Sequence, residues 1–523
     1  MKRAEYVHRG DAAKSCAPKG GHSCTSMRHC WSSSVPTTTP SVTIGSDENF
    51  DHLLVNSGEV LWPTTPARSG SWGSCRPTLG NRGTTWIASQ GYAPVRRRCA
   101  SSRVMMGWAE SLPLQRHPVR SCPLMANKRT QSQGLKVAGL FAGIGGVELG
   151  FQRAGHSAEL LCEILDPAKL VLSHWFPEVP VHADVRTLRA LPKVDVLAAG
   201  FPCQDLSQAG RTAGIRGSES GLVAEVFRLL RSADPRWLVL ENVPFMLQLD
   251  RGEAMRYLTT ALLEHGYNWA YRIVDSRAFG LPQRRQRVLL VASRTEDPRG
   301  VLLPDDAGDP GEPDRKTLNG AACGFYWTEG IRGLGWAVDA IPTLKGGSTV
   351  GIPSPPAIAL PNGAIVTPDI RDAERLQGFP ADWTRPAVGD DNRRNGPRWK
   401  LVGNAVSVPV AKWLGQNLAK PKHYVSQSDP PLSAGAAWPK AAWCMGGTIH
   451  TSAVSQWPKR YKRTPLAEFL SFPGRPLSLR ATAGFRERTT RSALRFPEGF
   501  LEVVDRHRAL MERTGTPNGA PVS

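Results

Sequence analysis

The stretch that decides the fold spans residues 135–154 and reads LKVAGLFAGIGGVELGFQRA. A short apolar strand passes through a glycine cluster into a predicted helix from Val147 to Ala154. Glycines at such a turn let the backbone approach a ligand closely and leave helix N–H groups facing it. A dinucleotide fingerprint requires a third glycine where this chain has Glu148. The turn therefore favours a nucleoside cofactor without a pyrophosphate, although an ordinary tight turn fits the same residues.

Three acids follow at places where further strands are predicted to end. Glu163 ends the second strand, where a carboxylate suits ribose hydroxyls. Asp184 comes next and suits a base amino group, and Glu241 ends the apolar strand that begins at Trp237. Any one of these acids could instead cap a helix or end a solvated loop. Because sites in open α/β sheets lie at the carboxyl ends of the strands, the three together predict a cofactor cleft.

A candidate nucleophile follows another buried strand. Residues 200–208 read GFPCQDLSQ, so Cys203 lies where a parallel strand ends. A cysteine thiolate is a strong nucleophile near neutral pH, and Pro202 restricts the loop that aims it. The alternative is a buried structural cysteine. The glycine turn and the acids elsewhere in the chain favour the catalytic interpretation.

Six short motifs lie in sequence between Leu135 and Leu418. They are FAGIGG at 141–146, GFPCQ at 200–204, ENV at 241–243, QRRQR at 283–287, RLQGFP at 375–380 and GNAV at 403–406. Their residues and their order resemble the bacterial DNA (cytosine-5) methyltransferase family. The ordered set is highly specific, although each motif is short. One departure is Leu165, where the family often has an acid, and it affects no catalytic residue.

The resemblance implies an α/β fold, namely the Rossmann-like, mostly parallel sheet of an S-adenosylmethionine-dependent methyltransferase with a smaller target recognition domain. Residues 125–293 would form the cofactor and catalytic part, and residues 371–421 would complete that domain. Residues 294–370 would be the target recognition domain, since strand–helix alternation lapses there and Gly and Pro punctuate short segments. A plain linker is the alternative for this interval. Small polar and basic side chains on such loops suit base-edge readout.

The resemblance also implies a mechanism. Cys203 would add to C6 of a cytosine flipped out of the duplex, so that C5 attacks the methyl group of S-adenosylmethionine. Glu241, protonated in a water-poor pocket, would donate to N3. Arg287 and Arg285 would neutralise charge near O2 and hold the cysteine loop. The base for the C5 proton is not identified, and a water would suffice. Residues 204–222 would be a mobile loop that closes over DNA, with a disordered surface loop as the alternative.

The remaining site residues follow from the same resemblance. The cofactor-binding residues would be Phe141, Gly143, Gly145, Gly146, Glu163, Asp184, Leu222 and Asn404. The DNA-binding residues would be Gln204, Ser207, Thr343 and Leu344. No metal is expected, because the ten cysteines include no paired CxxC zinc spacing.

Composition points to a polyanionic partner. The chain has 523 residues, more than one core usually supports, and its formal net charge is +20. The expected partner is double-stranded DNA, with a cognate restriction endonuclease acting separately. No apolar run is long enough to span a bilayer and no secretory leader opens the chain. Since Cys203 must also stay reduced, the sequence predicts a cytoplasmic enzyme without membrane contact, and a monomer.

Both ends of the chain differ from its middle. Residues 1–124 are rich in Ser, Thr, Gly, Pro and Arg and lack periodicity. The favoured hypothesis is a start codon assigned upstream of the natural one at Met125, and a flexible basic arm that binds DNA is the alternative. Residues 422–523 would be an extension of unknown role, either a folded tail on the catalytic domain or a second nucleic-acid surface.

Three functions stay open on the sequence alone. A DNA cytosine-5 methyltransferase, in a restriction–modification pair or acting alone, is favoured because Cys203, Glu241 and Arg287 are all present. The same chemistry on tRNA is disfavoured by the recognition interval. A catalytically silent DNA-binding regulator would be expected only if the catalytic set were broken.

Overall fold

A computed structural model describes residues 134–202, 221–311, 317–347, 353–389 and 395–514. The expectations for residues 1–133, for the loop at 203–220 and for residues 515–523 lie outside these ranges. The helices are α1 (Gly146–Gln152), α2 (Asp166–Trp175), α3 (Leu222–Ser232), α4 (Glu253–Glu264), α5 (Arg299–Leu302), α6 (Ile370–Leu376), α7 (Gly396–Asn404), α8 (Val408–Ala419), α9 (Leu466–Phe469), α10 (Leu479–Thr490) and α11 (Phe500–Arg513). The strands are β1 (Lys136–Leu140), β2 (Ser157–Cys162), β3 (Val181–His182), β4 (Val196–Ala199), β5 (Trp237–Asn242), β6 (Asn268–Asp275), β7 (Gln283–Arg284), β8 (Gln286–Ser293), β9 (Cys323–Phe325), β10 (Trp336–Val338), β11 (Ile341–Pro342), β12 (Ala357–Ala359), β13 (Ile365–Thr367), β14 (Ala441–Met445), β15 (Thr448–Thr451) and β16 (Arg475–Pro476).

The large sheet has nine strands in the order β15-β14-β6-β8-β5-β4-β1-β2-β3. The half from β5 to β3 is parallel, and the half from β8 to β15 is antiparallel. Strands β1 and β4 are almost wholly apolar because helices cover both faces of the sheet. Helices α3 and α4 share one apolar core with the sheet, and α1, α5 and α8 share the other. The predicted α/β class is confirmed, with a mixed sheet.

This topology decides where a site can form. Strands β2, β1, β4 and β5 are neighbours in that order and run in the same direction. Their carboxyl ends therefore lie side by side, although the residues concerned are far apart in sequence. The glycine turn follows β1, Glu163 follows β2 and Gly200 follows β4. Glu241 is the penultimate residue of β5.

A second, five-stranded sheet has the antiparallel order β10-β9-β12-β13-β16. Its edge strand β16 and helices α10 and α11 come from the C-terminal extension. Phe325 of β9 packs against Phe485 of α10 and Phe500 of α11, with ring centroids 4.6 and 5.2 Å away. The extension also supplies β14 and β15 to the large sheet. Residues 422–514 therefore contribute strands to both sheets.

Other properties of the described residues concern membranes, metals and thiols. None of the helices in these ranges is both long and apolar enough to cross a membrane. Within the same ranges, histidine, cysteine and acidic side chains nowhere gather in a group of three that could hold a metal ion. The described cysteines, Cys162, Cys323 and Cys444, are buried free thiols.

Candidate active site

The turn after β1 has a backbone that few residues tolerate. Phe141, Gly143 and Gly145 all have positive φ values, of 56°, 57° and 80°. Such a φ is easy for glycine and strained for phenylalanine, and strain of this kind concentrates at functional sites. Gly146 is needed for a different reason, because a Cβ there would overlap the carbonyl oxygen of Val406. The glycines thus shape the turn and let α1 pack directly on the segment before α8.

Glu163 holds this turn in place. Its two carboxylate oxygens accept hydrogen bonds from the backbone N–H groups of Gly143 and Leu165, each 2.8 Å long. The side chain is buried, yet each carboxylate oxygen has capacity for a further donor such as a ribose hydroxyl. The next residue, Ile164, is 59% exposed, which leaves an apolar surface beside the carboxylate. Sequence reasoning missed Ile164, since an apolar residue after a strand carries no signal by itself.

Asp184 lies just beyond β3, as the cap of a short 3₁₀ turn. It accepts hydrogen bonds from the backbone and the guanidinium of Arg186, with the shortest at 2.6 Å. These hydrogen bonds lower the pKa of Asp184 to about 2. The predicted contact with a base amino group would therefore be made by a carboxylate that already has a cationic partner.

Glu241 and Arg287 form an ion pair at the end of the parallel half of the sheet. Arg287 lies on β8, the antiparallel neighbour of β5, and its Nε donates to Oε1 of Glu241 over 2.9 Å. Burial lowers the pKa of Arg287, while the adjacent Glu241 opposes that shift. A Cβ on Gly200 would lie 3.5 Å from Oε2 of Glu241. The backbone that leads to Cys203 therefore passes directly beside this carboxylate.

Cys203, Gln204 and Ser207 themselves lie outside the described residues, but the structure describes what precedes them. Asn242 donates from Nδ2 to the carbonyl oxygen of Phe201 over 3.1 Å and accepts from the N–H of Val243 over 2.8 Å. This buried side chain ties the end of β5 to the segment that enters the cysteine loop. Asn242 was not among the predicted site residues. The available signal was a carboxamide at the buried end of a strand, next to an acid.

A small cavity of about 40 Å³ connects these parts. Its lining residues are Leu140, Phe141, Ala142, Gly143, Val147, Glu148, Ala198, Ala199, Gly200, Glu241, Asn404, Ala405 and Val406. Phe141, Gly143 and Asn404 were predicted to bind the cofactor and Glu241 to act in catalysis, so the fold brings the two groups together. Leu222, also predicted, is the first residue of α3 and packs partly buried on the core of the sheet.

Comparison with known proteins identifies the family. The profile of the C-5 cytosine-specific DNA methylase family matches residues 135–312. The Type II methyltransferase M2.BsuMI of Bacillus subtilis (strain 168) is 49% identical over 382 residues, which cover 71% of this chain and 98% of that protein. The chain belongs to the C-5 cytosine-specific DNA methylase family. Its activity is that of a DNA (cytosine-5) methyltransferase.

Other matches cover a smaller part of the chain. The Type II methyltransferase M.Bsp6I of Bacillus sp. (strain RFL6) is 28% identical and covers 55% of this chain and 99% of that protein. Among solved structures, the Dnmt2 methyltransferase of S. pombe is 16% identical, with a TM-score of 0.38, and covers 55% of this chain and 98% of that chain.

Arg285 of the methylase binds backbone carbonyl oxygens and not the carboxylate of Glu241. Its guanidinium donates to the carbonyl oxygens of Leu344, Gly403 and Ala405 over 3.0, 3.2 and 2.7 Å. The side chain is 1% exposed, and desolvation holds its pKa well below the usual value. Arg285 was predicted to act beside Arg287 near O2. The structure gives it contacts with the backbone on both sides of Asn404 and with the segment that follows β11.

Thr343 and Leu344 lie beside β7 and Arg285. The hydroxyl of Thr343 donates to the carbonyl oxygen of Arg284 over 2.8 Å. Leu344 is 2% exposed, and its N–H donates to Oε1 of Gln283 over 2.9 Å. Both residues were predicted to bind DNA. Their packing suits the positioning of the neighbouring backbone, and Leu344 presents almost no surface of its own.

Replacing Arg285 by methionine is expected to lower the free energy of unfolding by about 2 kcal/mol, because three buried carbonyl oxygens lose their donor while the cost of burying a cation is relieved. Urea unfolding of the two proteins measures the difference. Arg256→Met is the matched control, since Arg256 pairs with the exposed Glu253 and should change stability little. Equal urea midpoints for Arg285→Met and wild type would contradict a structural role for Arg285.

Proposed function

We propose that the methylase transfers a methyl group from S-adenosylmethionine to C5 of cytosine within a short sequence of double-stranded DNA, through a covalent bond between Cys203 and C6. The observation that carries this proposal is the Glu241–Arg287 ion pair beside Gly200. It puts an acid and a guanidinium next to the backbone that leads to the candidate nucleophile. A pyrimidine ring attacked at C6 needs such groups, because negative charge develops towards its N3 and O2.

The residues around the glycine turn suit S-adenosylmethionine. Glu163 has acceptor capacity for ribose hydroxyls, and Ile164 offers an apolar surface for the adenine. The backbone at Gly143 faces open space, where a ligand can approach closely. Asn404 is exposed and lines the cavity, so it suits the polar groups of the amino-acid end. When bound, S-adenosylmethionine supplies the methyl group as an electrophile on a sulfonium.

The chain's own residues would divide the chemistry between them. Cys203 as a thiolate adds to C6, and Arg287 stabilises the charge that develops at O2. Donation to N3 requires that Glu241 carry a proton in the complex with DNA. After methylation the C5 proton leaves to a base, for which a water suffices, and the thiolate of Cys203 is expelled. Asn242 and Arg285 are positioning residues, since each acts through the backbone that it holds.

We infer that the second sheet, together with α10 and α11, is the target recognition domain. Four of its five strands, β9, β10, β12 and β13, come from the interval that the sequence assigns to recognition, and β16 completes its edge by pairing with β13. Arg480, Arg491 and Arg495 are exposed on the C-terminal part of this unit. Within the described residues none of the three forms an ion pair, so these guanidiniums are suited to phosphate groups of DNA.

The triple variant Arg480→Ala, Arg491→Ala, Arg495→Ala is expected to weaken DNA binding at low salt without changing which sequence is methylated. The logarithm of the association constant decreases with the logarithm of the salt concentration, and this slope is negative. Its magnitude should be smaller by about one unit for each phosphate contact that is lost. Fluorescence anisotropy with a labelled duplex across a salt series measures this slope. Arg508→Ala is the control, because Arg508 already pairs with Glu512. An unchanged slope in the triple variant would place the phosphate contacts elsewhere.

The similarity to Type II methyltransferases supports a role in restriction–modification, in which a cognate endonuclease would be a separate protein. We also infer that the enzyme acts in the cytoplasm, where bacterial DNA is located, and as a monomer, since one chain supplies both the cofactor cleft and the recognition sheet. Expression of the full chain in a methylation-deficient bacterial host, followed by sequencing of 5-methylcytosine in the host DNA, tests the function. Methylation at one short motif would support it, and unmethylated DNA with soluble protein would contradict it.

A further inference from the structure

Glu148 is a buried carboxyl group that no described residue neutralises. It lies in the first turn of α1, is 3% exposed and lines the small cavity together with Gly143, Glu241 and Asn404. Its Oε2 has no hydrogen-bond partner among the described residues. The other two carboxylates of the cleft differ in this respect. Glu163 accepts two backbone N–H groups and Glu241 has Arg287.

The neighbouring strands make room for this carboxyl group. A Cβ at Gly139 of β1 would overlap Oε1 of Glu148, so β1 carries a glycine opposite it. Ala198 and Gly200 at the end of β4 keep the remainder of the cavity open. A leucine or methionine at position 148 would fill such a space without the cost of burying a polar group. A buried carboxyl group whose Oε2 has no donor, in a cavity lined by small residues, indicates a ligand that supplies the missing donor.

We propose that Glu148 is the counter-ion of a cationic centre in the amino-acid end of S-adenosylmethionine. This inference rests on the proposed function and assigns a residue to it. The molecule has two such centres, the α-ammonium and the sulfonium, and both would be drawn to the same buried carboxylate. Glu148 would thereby help to hold the methyl donor at the cavity that Glu241 also lines.

Protonation of Glu148 explains how its carboxyl group can stay buried when no ligand is bound. Burial raises the pKa of Glu148 to about 7; a hydrogen bond from its own backbone N–H opposes the increase, and the nearby Glu163 adds to it. The charged groups on the surrounding described elements are Glu163 on the β2 side and Glu241 at β5, with Arg287 beyond Glu241, while Lys412 of α8 is exposed. The free enzyme therefore carries Glu148 largely protonated below pH 7. Binding of a cation would release that proton.

Isothermal titration calorimetry of the full chain tests this with three ligands: S-adenosylmethionine, S-adenosylhomocysteine, which lacks the sulfonium, and deamino-S-adenosylhomocysteine, which lacks both cations. Each is titrated at pH 7 in two buffers of different ionisation enthalpy, which counts the protons released. Glu148→Gln is expected to bind S-adenosylmethionine about tenfold more weakly and to release about half a proton less than wild type. Glu148→Asp should keep the proton release, and Glu159→Gln is the control, since Glu159 lies on β2 outside the cavity.

The ligands distinguish the two cations. A loss of affinity for both S-adenosylmethionine and S-adenosylhomocysteine, but not for the deamino ligand, supports contact with the ammonium. A loss for S-adenosylmethionine alone supports contact with the sulfonium. Equal affinity and equal proton release in wild type and a folded Glu148→Gln overturn the inference. Failure of the wild type to bind S-adenosylmethionine overturns the proposed function instead.

Discussion

Cys203→Ser is expected to lower the rate of methyl transfer by about 10³-fold or more, since a serine hydroxyl is almost never ionised near neutral pH and is a far weaker nucleophile than a thiolate. The flanking structure supports a thiol that is presented for attack. Gly200 puts the backbone beside Glu241, and Asn242 fixes the carbonyl of Phe201. The rate is measured by transfer of a radiolabelled methyl group to a duplex that contains the recognition sequence.

A substrate with 5-fluorocytosine separates the chemical step from binding. Because fluorine cannot leave C5 as a proton would, the wild type should remain covalently attached to this duplex and migrate with it under denaturing conditions. The Cys203→Ser protein should bind the duplex but form no such complex. Cys444→Ala is the control, since Cys444 lies in β14 on the antiparallel half of the sheet. A covalent complex formed by Cys203→Ser would show that another residue is the nucleophile.

Part of the site can be predicted from the sequence, because the carboxyl ends of neighbouring parallel strands lie along the same edge of the sheet. Glu163 and Glu241 each follow or end an apolar strand, and this pattern alone brings them to one edge. The difference between Arg285 and Arg287 could not be deduced in this way. Both belong to the same five-residue motif, but only Arg287 reaches Glu241, which lies opposite Leu289 of β8 two residues further on. Arg285 instead faces the carbonyl of Ala405, 120 residues away.

The role of the C-terminal extension was hidden for a related reason. Strand β16 has only two residues, one of them a proline, so it shows no alternation of apolar and polar side chains. Its partner β13 is distant in sequence, and Thr367 and Arg475 are 108 residues apart. Long-range pairing of such a short edge strand depends on the packing of α10 and α11 against the sheet, which no local pattern encodes. The apolar faces of these helices predict only that they bury a surface, not which one.

Without ligand, the free energy of unfolding of Glu148→Gln is expected to rise relative to that of the wild type as the pH increases. The total rise from acid to alkaline pH is expected to be about 3 kcal/mol. The pKa of Glu148 is raised from 4.5 to about 7 in the folded protein. The folded state therefore binds more protons than the unfolded state between these two values. Stability from this group is fully present below pH 4.5 and is lost as the pH rises through 7. Glutamine has no proton to lose, so the variant escapes this loss.

Urea unfolding of both proteins at pH values from 5 to 8 measures the effect, and the difference between their free energies of unfolding is the quantity to compare. That difference should shift in favour of Glu148→Gln across this range and level off above pH 7. A constant offset from the new amide group does not alter the shift. Glu159→Gln should give a flat difference, because Glu159 is near the protein surface beside Lys136. A flat difference for Glu148→Gln as well would mean that Glu148 is ionised in the free enzyme and already has a partner.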